Sequence, residues 1–315
     1  MTPKLSIVIP LYNKANAIGK TIDSVLHQTF KNYELIIVND GSTDNSLMIV
    51  EAVRDSRIKF FTTKNQGVSA ARNYGISKAQ TDYIAFLDAD DIWLTNHLEN
   101  LNQLIEKFPD CGLYCTAYVK QYKNVSTPAV YKNIPKVNGW MGIVADYFES
   151  SINNSIAWTS ATLVPKTILE TLNGFDETIT LGAGEDTDLW IRAALQYPVA
   201  FSNSATAIHN LIAENRVSNS KTELRQFLDL DVYEPFANDN PSLKIYLDVN
   251  RFAIGMQYKL SGNNKTADNY FNKIDYKSLN KKQRFLLSKS AKTLVIMKNF
   301  QSIFRNFKVN LTPFH

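Results

Sequence analysis

Three carboxylates fall within four residues at Phe86-Leu87-Asp88-Ala89-Asp90-Asp91, directly after the apolar run Tyr83–Leu87. They cannot all be buried unpaired, because an isolated ionised carboxylate away from water is too costly. Either they face solvent or they hold a divalent cation. Hard oxygen donors this few in number suit Mg2+ or Mn2+ with the shell completed by substrate phosphates. A second acidic group, Gly182-Ala-Gly184-Glu185-Asp186-Thr187-Asp188, precedes a helical pattern. Carboxylates at a helix start complement the helix dipole. One of them, Asp186 or Glu185, set against a hydroxyl would act as a general base. His209, at the end of the strand-like stretch Val199–Ile208, is either a structural histidine or the residue that completes a metal shell.

Three further groups have the means to hold a ligand. After the apolar run Leu5–Pro10, Tyr12 offers an aromatic face for stacking and Asn13 an amide, unless Asn13 simply caps the next helix. Pro10 is expected to end that strand, since it cannot donate to a ladder. Asp40-Gly-Ser-Thr-Asp44 closes a second apolar run; Asp40 would accept from a ring N–H or a ribose hydroxyl, or the segment is a plain capped turn. In Asn65-Gln-Gly-Val-Ser-Ala-Ala-Arg-Asn73, Gly67 and the small residues after it let a ligand pass close over a helix start. Arg72 there would add a cation where a helix N-terminus already favours anions, or would stand solvated on the surface.

The elements that must position these groups alternate in kind. Strand-like runs at Leu5–Pro10, Glu34–Val38, Ile58–Thr62 and Tyr83–Leu87 alternate with helical periodicity at Ala17–Gln28, Thr43–Val53 and Ser69–Ser77. That alternation predicts an α/β fold with a mainly parallel sheet covered by helices on both faces. Ligands of such sheets sit beyond the carboxyl ends of the strands, and every cluster above falls at such an end. Beyond residue 92 the spacing predicts helices at 94–107, Lys166–Leu172 and Thr187–Gln196, and a strand at 112–119.

The chain has 315 residues, 44% of them hydrophobic, which is enough for a large packed core and excludes intrinsic disorder. Its net charge of +4 is uneven. Residues 1–219 hold 18 basic and 22 acidic side chains, whereas 220–315 hold 16 and 8, and nine Lys or Arg with no acid follow Asp275. Residues 218–315 read as an α-helical appendage on a 1–217 catalytic domain. Its basic residues, interleaved with Phe285, Leu286, Leu287, Phe300, Phe304 and Phe307, either pack on that domain or rest on an anionic membrane. No nucleic-acid-binding module is recognisable. No apolar run is long enough to span a bilayer, Leu5–Leu11 is too short for a signal peptide, and two cysteines make no disulfide framework. Cys111 and Cys115 read as buried thiols. The expected location is the cytoplasm, at the inner face of the membrane if the tail rests on lipid rather than on the domain. No Ser/His/Asp nucleophile motif, P-loop or GxGxxG fingerprint is present.

In this order the motifs resemble the family 2 glycosyltransferases of GT-A fold. The matching pieces are SIVIPLYN at 6–13, VNDGSTD at 38–44, NQGVSAARNYG at 65–75, FLDADD at 86–91, LNGFDE at 172–177 and GEDTDLWIR at 184–192. The resemblance implies a nucleotide-sugar donor, most simply a UDP-sugar, bound by Pro10, Tyr12, Asn13, Asp40, Gly67 and Arg72. It makes Asp88-Ala89-Asp90 the DXD motif, with Asp90 on the metal. It implies Asp186 as the base of an inverting transfer, with Glu185 its rival. His209 falls near a metal-binding histidine of some relatives, although Ile208-His-Asn-Leu-Ile departs from the commoner tyrosine- and arginine-rich form. The QxxRW signature of processive members is absent. The implied activity is metal-dependent transfer to a hydroxyl of a glycan or lipid-linked acceptor in cell-surface polysaccharide synthesis. A nucleotidyltransferase would want a glycine-rich basic loop after the first strand, which Leu11-Tyr-Asn-Lys14 does not supply. The remaining alternative is a non-catalytic sugar-nucleotide-binding scaffold acting through its basic helical tail.

Overall fold

Four apolar, β-branched runs make the parallel half of one sheet. They are β1 (Leu5–Leu11), β2 (Tyr33–Asp40), β3 (Ile58–Thr63) and β4 (Tyr83–Phe86), in the order β3-β2-β1-β4 with every pairing parallel. Every residue of β1 and β2 is buried, which is why both read as continuous rather than alternating apolar runs. The crossovers are α1 (Ile18–Leu26), α2 (Ser46–Ala52) and α3 (Val68–Lys78). The computed structural model describes residues 4–214 and 220–306, with side chains up to 298. Of the apolar tail residues, Phe300, Phe304 and Phe307 therefore lie outside the described side chains.

Beyond β4 the sheet becomes mixed. The elements are β5 (Ile92–Trp93), α4 (His97–Lys107), β6 (Leu113–Tyr122), β7 (Val125–Pro128), β8 (Met141–Ile143), α5 (Tyr147–Ser150), β9 (Thr162–Pro165), α6 (Lys166–Thr171), α7 (Glu185–Ala194) and β10 (Val199–Asn210). The order continues β4-β9-β6-β10-β5: β9 is antiparallel to both neighbours, β6 and β10 are parallel, and β5 is antiparallel to β10. The expected GT-A-like α/β architecture is present, with these short antiparallel strands added.

Two local expectations are corrected. Pro10 does not end β1, which pairs with β2 through Leu11. Val8 accepts from Leu87 N–H on the β4 side, so the N–H that Pro10 lacks would point the same way, where β4 pairing has already stopped. Helix α2 begins at Ser46 rather than Thr43, because Ser42 to Asp44 are held in a loop against Asn13. Both cysteines are buried free thiols, as expected, although Cys111 precedes β6.

The C-terminal region is helical as anticipated: α8 (Glu234–Ala237), α9 (Pro241–Ser261), α10 (Asn264–Phe271), α11 (Lys281–Leu287) and α12 (Ala291–Asn306). Its leading part completes the core of the sheet. Leu228, Leu230, Tyr233, Leu243, Tyr246 and Leu247 join the cluster that contains Val8, Phe86, Phe175 and Trp190. Phe252, Met256, Leu279, Leu286 and Leu294 form a smaller separate cluster.

Buried Glu34 fastens β2 to its surroundings. It accepts from Ser6 Oγ at 2.5 Å, Gln80 N–H at 2.7 Å and Lys59 Nζ at 2.5 Å. Burial pushes the carboxyl up, but Lys59, Ser6 and Gln80 together hold it below its usual value. A depressed folded-state pKa contributes stability above the unfolded pKa of about 4.3, and that stability is lost as pH falls through the folded value. Glu34→Gln is expected to remove this component, so that urea midpoints at pH 7 and pH 3.5 lie closer together than in the wild type. An unchanged gap would contradict it.

Candidate active site

Because β1 to β4 are parallel, the loops that follow them meet at one edge. At the end of β1, Tyr12 is 44% exposed and presents its ring there. Asn13 adopts a left-handed backbone (φ 50°) and staples two loops. Its N–H donates to Ser42 Oγ at 3.0 Å, and its Oδ1 accepts from the Thr43 and Asp44 amides at 2.7 and 3.3 Å. It is not the cap of α1, whose N-cap is Ala17.

Asp40, at the end of β2, is buried and works inside the protein. Its Oδ1 accepts from Gln66 N–H and its Oδ2 from Gly67 N–H, each at 2.9 Å. Those bonds set the loop that opens α3. Gly67 has φ 99°, and a Cβ there would meet nothing within 4 Å, so the backbone of the helix start borders open space. A side chain at this φ would be strained.

Arg72 is in the second turn of α3 and is buried, not solvated. Its Nη2 donates to Asp88 Oδ1 at 2.8 Å and its Nη1 to Glu185 Oε1 at 3.2 Å, while the guanidinium lies 5.0 Å from the Phe175 ring centre. Burial opposes its charge, but Asp88 and then Glu185 outweigh that and hold the pKa above its ordinary value. Asp90 is gripped by Lys14, whose ammonium donates to its Oδ2 at 2.6 Å. The third carboxylate neither faces solvent nor lies open to a cation. Asp91 is buried, accepting from Ser160 Oγ at 2.6 Å and from Asn210 N–H at 3.0 Å, and burial followed by the charges of Asp90 and Asp88 raises its pKa well above the carboxylate range. It ties the loop after β4 to the end of β10. Ala89, between Asp88 and Asp90, is buried, its carbonyl accepting from Thr21 at 3.0 Å.

Glu185 and Asp186 belong to the first turn of α7 rather than preceding it. Gly184 before them is rigidly placed: its φ is 105°, and a Cβ would come within 2.5 Å of Leu228 Cδ2. The two carboxylates differ sharply. Glu185 is buried, turned to Arg72, and its pKa is raised by burial and by Asp186 against the pull of Arg72. Asp186 is half-buried, with Oδ1 on the Thr187 amide at 2.7 Å and Oδ2 accepting from Thr159 Oγ1 at 3.3 Å. Burial first, then the charge of Asp186, pushes up the phenols of Tyr118 on β6 and Tyr246 on α9. His209 lies on β10, its ring 4.9 Å from the indole of Trp158, one residue before the Asn210 amide that binds Asp91.

The structure therefore joins Arg72, Asp88 and Glu185 in one linked group, with Asp186 next in the chain to Glu185 and Asp90 two residues from Asp88. Asp40 and Asn13 shape the adjoining loops. Sequence reasoning missed Lys14, Thr159 and Ser160. The last two sit on a single 3-10 turn, Thr159–Ala161, which has no periodicity to find. Among the described residues no three His, Cys, Asp or Glu side chains form a ready-made metal cage. Mg2+ needs none, since it keeps waters and takes one or two carboxylates plus substrate phosphates, and Asp88 with Asp90 fits that donor set.

The sequence model of the family described as glycosyl transferase family 2 matches residues 6–172, more than half of the chain. The chain belongs to glycosyl transferase family 2. The match spans the loops after β1 to β4 and stops short of Glu185, Asp186 and His209. An uncharacterized glycosyltransferase of Rickettsia bellii is 35% identical over 192 residues, 60% of this chain and 26% of the relative. The chain thus spans about a quarter of that relative's length. The Escherichia coli protein named UDP-Glc:alpha-D-GlcNAc-diphosphoundecaprenol beta-1,3-glucosyltransferase WfaP is 36% identical over 137 residues, 42% of this chain and 53% of its own. Among solved structures, S. aureus TarS residues 1–349 in complex with UDP-GlcNAc matches at 18% identity with a TM-score of 0.56, over 84% of this chain and 73% of that one. That likeness establishes the shared fold.

Proposed function

We propose that this family 2 member is an inverting, metal-dependent, non-processive glycosyltransferase that moves a sugar from a UDP-sugar to a hydroxyl of a glycan or lipid-linked acceptor in cell-surface polysaccharide synthesis. The observation that carries the reading is Arg72 holding Asp88 and Glu185 at once, which puts the acidic loop after β4 beside the first turn of α7 and Asp186. WfaP, by its name, uses UDP-Glc and a diphosphoundecaprenol-linked acceptor, which supports the donor and acceptor classes, and TarS has been crystallised with UDP-GlcNAc, which supports the donor class.

In this reading Tyr12 stacks on the base, and the Asp40-held loop with Gly67 lets the nucleotide lie close over the start of α3. Asp90 with Asp88 holds Mn2+ or Mg2+, and His209 is the third candidate donor. The bound cation supplies charge stabilisation to the departing diphosphate. Arg72 fixes the Asp88 carboxylate, and Lys14 pairs with Asp90. Asp186 takes the proton of the attacking hydroxyl from the face opposite the leaving group. The expected location is the cytoplasmic face of the membrane. No helix among the described residues is long and apolar enough to cross a bilayer, and α11 sets exposed Phe285 beside exposed Lys281 and Lys282.

UDP release from UDP-glucose and UDP-GlcNAc, with and without a lipid-diphosphate-linked GlcNAc acceptor, tests the activity. Release that rises with the acceptor is expected; no release from either donor would contradict it. Asp90→Ala is expected to erase the Mn2+-dependent part of UDP affinity, a loss of at least about tenfold. A metal titration identical to wild type would remove Asp90 from the metal.

A further inference from the structure

The indole of Trp158 stands among the groups just described, yet none of the assigned roles uses it. Its ring centre is 4.4 Å from Tyr118 and 4.9 Å from His209. Those two rings are themselves only 6.4 Å apart. Two rings sandwiching the indole would be separated by nearly the sum of their distances to it, so Tyr118 and His209 do not face each other across it. Trp158 is half-buried rather than enclosed.

Its setting is specific. Thr159, the next residue, donates to Asp186 Oδ2 at 3.3 Å. Burial first, and then the charge of Asp186, raises the pKa of Tyr118, the ring against the indole. Lys120 shares a face of β6 with Tyr118 by the two-residue alternation of a strand, and pairs in register with His209. Its ammonium donates to Asn154 Oδ1, and the Asn154 amide nitrogen donates to Val130 O at 2.9 Å. Burial lowers the Lys120 pKa. An apolar aromatic plane with an ammonium and an amide nearby, next to a carboxylate placed as a base, matches one ligand chemistry. The C–H face of a pyranose packs on the indole while its hydroxyls find polar partners.

We propose that Trp158, with Lys120 and Asn154 beside it, forms a pyranose subsite for the acceptor sugar. The inference rests on the glycosyltransferase reading and adds to it the residues that recognise the acceptor. The probes are methyl β-D-glucopyranoside and its N-acetylglucosamine counterpart, titrated into the full chain with UDP and Mn2+ present. Trp158→Leu keeps apolar contact with Tyr118 but removes the flat face; Trp158→Phe keeps a smaller one. UDP affinity reports on folding and on the donor site in each variant. Glycoside affinity is expected to fall about tenfold in Trp158→Leu and less in Trp158→Phe, with UDP affinity unchanged. A loss confined to the extra affinity of UDP-GlcNAc over UDP overturns the acceptor assignment and places the donor sugar on the indole. Unchanged glycoside affinity in Trp158→Leu, or no glycoside binding by a wild type that binds UDP, overturns the subsite altogether. A wild type that fails to bind UDP contradicts instead the donor reading beneath it.

Discussion

Asp186→Asn is expected to lower transfer turnover by about 10²- to 10⁴-fold, the usual worth of a positioned general base, with UDP affinity essentially unchanged. The expectation follows from the unequal settings of two adjacent carboxylates. Glu185 is buried, with its Oε1 taken by Arg72. Asp186, one residue on, is only half-buried, and its carboxylate is aimed by the Thr187 amide and the Thr159 hydroxyl. A carboxylate is a weak base in water, so this fixed placement supplies much of its effect. Asparagine keeps the shape and loses the proton acceptor. If the variant retained a tenth of wild-type turnover, Asp186 would not be the base.

Arg72→Ala is expected to cost about 3–5 kcal/mol of folding stability, chiefly because it leaves the buried Glu185 carboxylate uncompensated. Arg72 is buried, bridges Asp88 and Glu185, and lies over Phe175. Glu185 already has its pKa raised by burial and Asp186 even with Arg72 in place. Without the guanidinium it must take up a proton or draw in water. Urea denaturation at neutral pH measures the loss. Adding Glu185→Gln is expected to recover part of it, since the uncompensated charge is then gone. A single-variant loss under about 1 kcal/mol, the range of an exposed pair, would show that the bridge carries little.

The parallel half of the fold was legible because buried parallel strands and amphipathic crossovers write period and polarity directly into sequence. The reading weakened where elements are short. The strands β5, β8 and β9 are two to four residues long and are made by pairing with distant strands, so no local pattern announces them. The residue types of the site were visible but not all of their partners. Asp88 and Asp90 follow β4 directly, whereas Asp186 stands in the first turn of α7. Arg72 read as a cation at a helix start because nothing local shows that Glu185, 113 residues away, will fold against it. Asp91 looked like a third member of a solvent-facing or metal-binding run; its partners Ser160 and Asn210 arrive from later elements. The helical tail was legible as helix from periodicity. That Tyr246 on α9 joins the same buried cluster as Trp190 of α7 depends on packing, which periodicity does not encode.

The central claim is that the edge shared by β1 to β4 is a metal-assisted nucleotide-sugar site. Calorimetric titration of the chain with UDP, GDP and dTDP, each with and without Mn2+, addresses it most directly. The account predicts tight binding of UDP that weakens by at least about tenfold when the metal is withheld, with GDP and dTDP markedly poorer. Failure of all three nucleotides to bind in the presence of Mn2+ would contradict it.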